Sequence, residues 1–155
     1  MNKQLSAQEK ANKFRSELVR SKGLSEVRFD LISSKHLEAK GPAGESYEFQ
    51  LSAGSDVFLE INFYPSFEDK KDYVVVYVVN DGAGKDFSLD SWMKLRNIKN
   101  DIVNPFDLSS YPGDFELQVE GFFKFLDELI DASELKKILL GMVWENVPFD
   151  WGTAK

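Results

Sequence analysis

Hydrophobic and polar positions along the chain change period twice, dividing it into helix, sheet and helix again. Ala7, Ala11, Phe14 and Leu18 recur every three or four positions, one apolar stripe on a 3.6-residue period. Ser6 and Glu9 stand three apart at its start and predict a capping box, each satisfying an orphan amide near the other. Lys10, Lys13, Arg20 and Lys22 fall on the opposite side as a solvated basic face, and Gly23 is the predicted terminator.

Four segments of period two follow. Val27, Phe29 and Leu31 alternate with Arg28 and Asp30, and Tyr47, Phe49 and Leu51 alternate with Ser46, Glu48 and Gln50. Val57, Leu59, Ile61 and Phe63 make one side of the third segment, with Phe58, Glu60, Asn62 and Tyr64 on the other. The fourth, Tyr73 to Val79, is apolar throughout, which predicts a central strand or one covered on both faces. Gly41 to Gly44, Ala53 to Ser55 and Pro65 to Asp72 supply turns. They are too short for parallel crossovers, so the meander is antiparallel.

The helical period returns after Asn80. Ser88 is the predicted N-cap of a helix running to about Ile98, with Leu89, Trp92 and Leu95 inward. Asp101 to Gly113 reads as a loop holding Pro105 and Pro112. Asp114 then caps a long helix with the stripe Phe115, Val119, Phe122, Leu126 and Leu129. Ser133 and Glu134 restart a short helix through Leu135, Ile138 and Leu139, ended by Gly141 in a left-handed cap. Strands grouped before helices give an α+β class. The expectation is a single α+β domain over residues 1–155: an N-terminal helix, a four-stranded antiparallel meander sheet, and C-terminal helices packed on one sheet face.

The 155 residues, 43% of them hydrophobic, suffice for one such domain with a large core. With no Cys and one His, disulfides, thiolate metal sites, Cys nucleophiles and most zinc or triad arrangements drop out. No metal or cofactor is expected. No apolar run approaches the ~18 residues of a membrane span, and the polar start MNKQLSAQEK is unlike a signal peptide. A soluble, cytoplasmic protein is therefore expected.

The net charge of −7 is unevenly spread. Residues 1–40 carry nine basic and five acidic side chains, whereas residues 101–155 carry four and eleven. A nucleic-acid binder needs a basic face to neutralise phosphates, so this polarity argues against one. A partner with a basic surface would be attracted to the C-terminal two-thirds.

Few segments could carry chemistry. The loop Asn80-Asp81-Gly82-Ala83-Gly84-Lys85 follows a strand and precedes a helix, where phosphate loops sit, but it lacks the P-loop spacing. Asp81 and Asp86 would also repel a phosphate, so it reads as a connection. His36 lacks a second His or a Cys for a metal site, and no orienting partner for a general base is visible. Glu48 and Glu60 are the one pair of carboxylates placed for acid and base work, provided burial splits their pKa values.

The same side chains have a second use. Asp30, Glu48, Gln50, Glu60, Asn62 and Tyr64, with Arg28 beside them, are expected on one sheet face, with Phe58 near, as a docking surface for a protein rich in Lys or Arg. The long loop adds Phe106, Asp107 and Tyr111, with Asp114 just beyond it, as further partner-binding candidates. Trp144, Phe149 and Trp151 at the C-terminal end either dock on the domain or meet a partner.

The functional expectation is a non-enzymatic protein-binding module, a small acidic inhibitor of the immunity type. It would mask the basic surface of a toxin, one that cleaves nucleic acid among the options, acting as monomer or homodimer without touching nucleic acid or membrane. The alternatives are an acidic effector chaperone or adaptor, which would be a homodimer with exposed apolar helix surface, and a hydrolase using Glu48 and Glu60.

Overall fold

The computed structural model describes residues 5–37, 45–66, 71–98, 102, 104–132 and 134–144. Phe149 and Trp151 lie outside them, as do the turn at 41–44 and Ser133.

Helix α1 spans Ala7–Leu18, and its capping box forms in full, with Ser6 Oγ accepting from Glu9 N and Glu9 Oε1 accepting from Ser6 N. The chain does not stop at Gly23. Ser21 instead caps a second short helix, α2 (Lys22–Glu26). Gly23 is a packing residue, because a Cβ there would come within about 3.0 Å of Asp127 and Ile130. The first strand is displaced accordingly. Val27 is the buried C-cap of α2, Arg28 takes a left-handed φ of 59°, and β1 runs Asp30–Leu37.

The sheet continues with β2 (Ser46–Ser52), β3 (Val57–Ser66), β4 (Lys71–Asn80) and β5 (Lys85–Ser88), all neighbours antiparallel in the order β1-β2-β3-β4-β5. The meander therefore has five strands, not four. The glycine loop is the hairpin between β4 and β5, closed by Asn80 Oδ1 accepting from Ala83 N, and it does not lead directly into a helix. Four residues of paired strand were hidden there because Lys85 to Ser88 holds one inward apolar side chain, Phe87, too few for a period to show.

Helix α3 (Leu89–Leu95) is capped by Ser88, which accepts from Ser91 N. A short 3-10 turn at Leu108–Ser110 precedes α4 (Phe115–Ala132), whose first turn is capped by Asp114 Oδ1 accepting from Leu117 N. Helix α5 (Leu135–Leu139) ends at Gly141, with φ of 75° as its left-handed cap requires.

One face of the sheet carries the core. Tyr47, Phe49, Leu51, Val57, Leu59, Ile61, Phe63, Val74, Val76 and Val78 are all buried on it. Phe14 of α1 stacks on Phe63 with ring centroids 4.8 Å apart and lies 5.1 Å from Phe123 of α4. It is fully buried, so the two helices reach the sheet through one aromatic cluster, and truncation to Ala would cost about 3–5 kcal/mol. Trp144 packs on Phe87 at 5.2 Å, with its indole Nε1 buried and without a hydrogen-bond partner among the described residues.

Candidate functional site

Strand alternation places every second residue on the sheet face away from α1 and α4. Register then fixes which of them are neighbours. Glu48 lies opposite Asn62, which lies opposite Val75; Gln50 lies opposite Glu60, which lies opposite Tyr77. Ser52, Phe58 and Val79 make the next row, and Tyr64 opposes Tyr73. The face thus has two zones. Carboxylates and amides occupy β2 and the middle of β3, while tyrosines and valines occupy β4 and the far end of β3.

Glu48 and Glu60 are diagonal neighbours across the strand pair, where such side chains reach one another. Gln50 Nε2 sits between them, 3.5 Å from Glu48 Oε1 and 3.4 Å from Glu60 Oε1, both long contacts. Asn62 Nδ2 makes the firmer bond to Glu60 Oε2, at 3.2 Å. Asn62 is only 7% exposed, between Glu48 and Val75 in register. Among the described residues neither carboxylate has an ion pair, although Lys35 stands opposite Glu48 in register. The Tyr64 hydroxyl is held above the ordinary phenol range, first by burial and then by Tyr77, Glu60 and Glu48.

Glu48, Glu60, Asn62 and Tyr64 are therefore brought together as the alternation implied. Asp30 faces the same way but sits at the far corner, opposite Ser52 and exposed. Arg28 precedes β1 and takes no place in the sheet. The loop candidates are elsewhere. Phe106 and Tyr111 are buried at 2% and 5% exposure, and Asp107 is buried while its Oδ1 accepts from Ser109 N and Oγ. These three pin the loop to the core, with Tyr111 Oη donating to Pro105 O at 2.7 Å and Phe106 O accepting from Val74 N. Asp114 is exposed, but it serves as the helix cap.

The reading of the sequence missed the β4 half of the face. Tyr73, Val75, Tyr77 and Val79 are half-buried, on a strand that is central rather than covered on both sides by described helices. The signal was present in Tyr73 and Tyr77, four apart and so on one side, but the apolar run concealed it. His36 does have a partner: its Nε2 lies 2.7 Å from Glu45 Oε2, and its ring stacks on Tyr47 at 4.4 Å. Both residues are exposed or nearly so, at the strand end away from Glu60.

Among the described residues no three His, Cys, Asp or Glu side chains are grouped to hold a metal ion. No described helix is long and apolar enough to cross a membrane. A groove of about 600 Å³ between α1 and α4 is lined by Glu17, Arg20, Tyr111, Leu117, Phe123 and Lys124, with neither Glu48 nor Glu60 among its walls. No family model, curated protein or solved structure matches the chain.

Proposed function

We propose that the protein is a non-enzymatic binding module that docks the basic surface of a protein partner on the open face of its sheet, in the manner of a small acidic inhibitor of the immunity type. The carrying observation is the pair Glu48 and Glu60, linked through amide donors, without an ion pair among the described residues, and bordered by half-buried tyrosines. Each carboxylate keeps acceptor sites that its amide neighbours do not fill, and these suit incoming Lys or Arg groups. Glu60, already held by Asn62, loses less freedom on docking. The aromatic zone supplies burial, and the carboxylates supply steering and register.

A net charge of −7 adds long-range attraction to a basic surface. In the inhibitor form, the two carboxylates pair with the cations that such a partner uses to hold phosphates. A hydrolase would need them to close on a cleft, whereas here they share a sheet face and one amide donor.

The test is capture of the partner from cells that make the protein, followed by association kinetics on the purified pair. Glu48→Lys with Glu60→Lys is expected to slow association by about tenfold or more and to flatten its salt dependence. Glu128→Lys, exposed on α4, should leave the docking contact intact. Unchanged association and an unchanged salt slope in the double reversal would overturn the reading.

A further inference from the structure

The open face is divided lengthwise by chemistry, and that division bears on the shape of what covers it. Crossing from β2 to β4 at one level leads from Glu48 through Asn62 to Val75; at the next it leads from Gln50 through Glu60 to Tyr77. Strands are about 4.8 Å apart, so the acidic zone and the apolar zone lie side by side within roughly 10 Å. That is the diameter of one α-helix. Along the strands, Glu48 and Glu60 are offset by two residues, or about 7 Å. Helix side chains four apart rise by about 6 Å, so two cations on one flank reach both carboxylates together.

From this we infer that the occupant is a cationic amphipathic helix of the partner, lying along β3. Its apolar stripe would cover Val75, Tyr77 and Val79, and Lys or Arg at i and i+4 would meet Glu48 and Glu60. The inference rests on the docking reading above and specifies its partner. An added strand fits less well, because strands add at sheet edges and the apolar zone lies inside, on β3 and β4. A strand paired to β1 would leave those side chains bare. A helix across the face repeats what α1 and α4 do on the other side, giving three layers. Beside β4 lies a notch of about 300 Å³, lined by Tyr73, Val75, Tyr77, Ser88, Asp90 and Lys94, which borders the apolar zone.

The experiment is an amide chemical-shift titration of the isotope-labelled full chain with two synthetic peptides. One is a helix-forming peptide of about 14 Leu and Lys residues with its cations on one flank. The other has the same composition, with central D-residues that abolish the helix. The expected result is shifts confined to β2, β3 and β4, with the helical peptide bound about tenfold more tightly because it is preorganised. Equal affinity for the two peptides would overturn the helix inference and leave the charge-based docking standing. Shifts absent from β2 to β4 with both peptides would overturn both. The comparison uses the unaltered protein, so no variant has to fold.

Discussion

Asp127 of α4 and Ser21, the N-cap of α2, are joined by a hydrogen bond in which the serine hydroxyl donates to Oδ1. The same oxygen accepts from Gly23 N at 3.0 Å, while Ser21 Oγ accepts from Leu24 N at 3.3 Å. One carboxylate oxygen thus satisfies the start of a helix 104 positions away in the chain. Ser21 is buried, so Asp127→Ala strands a hydroxyl and an amide away from water and is expected to cost about 1–3 kcal/mol. Asp127→Asn keeps an acceptor at Oδ1 and should lose clearly less. Urea unfolding of both variants checks the ordering.

Gly121 sits inside α4, where glycine is a poor helix former, and its place is explained by Tyr111. A Cβ at Gly121 would stand 2.7 Å from Tyr111 Cδ1, so alanine cannot fit unless the ring moves. Gly121→Ala therefore sets a propensity gain of about 1 kcal/mol against an overpacking cost of about 1–3 kcal/mol, and net destabilisation is expected. In a Tyr111→Ala background the two ring contacts are gone and only the Cβ contact at 3.2 Å remains, so the same change should become stabilising once that contact gives by a few tenths of an ångström. The sign reversal, read by thermal unfolding of the four proteins, separates packing from propensity.

What the sequence revealed and what it concealed follow from range. The alternation of Tyr47, Phe49 and Leu51 against Glu48 and Gln50 is a local signal, and the buried set and the partly exposed face opposite it came directly from it. Gly23 misled because its reason is a contact with Asp127, far along the chain and invisible to any window of neighbours. Lys85 to Ser88 was lost because a short strand beside a hairpin turn is made by pairing with Tyr77 to Asn80, not by its own pattern. Phe106 and Tyr111 could be read either as binding residues or as pins of the loop to the core, and what decides between them, contact with β4 and α4, is not local.

Tyr111 also makes stability sensitive to alkali. Burial pushes its phenol well above the ordinary value, and its hydroxyl donates to Pro105 O. The unfolded chain ionises near pH 10 while the folded chain keeps its proton, so this contribution is full below about pH 10 and is lost as pH rises further. Tyr111→Phe removes the hydrogen bond and should cost about 1–2 kcal/mol at neutral pH. It also removes the alkaline loss, so the gap between the two proteins should narrow by about pH 11. Denaturant unfolding at both pH values tests this, and a gap that widens with pH contradicts it.

Tyr64 reports directly on the charge of the open face. Its phenol is raised first by burial, then by Tyr77, and then by the Glu60 and Glu48 carboxylates. Burial penalises the phenolate, and each nearby negative charge adds repulsion, so all four causes act in one direction. Glu60→Gln removes one charge while keeping size and an acceptor for Asn62 Nδ2. The Tyr64 pKa should then fall, but not to the ordinary value, because burial, the largest cause, stays. Ring resonances followed through the alkaline titration give the shift, with Tyr64→Phe supplying the assignment. A docked cationic helix should act in the same direction, since positive charge beside the phenol favours the phenolate. An unmoved titration in Glu60→Gln would mean that the carboxylate and the phenol do not face one another, and the acidic and aromatic zones would then act on a partner separately rather than as one surface.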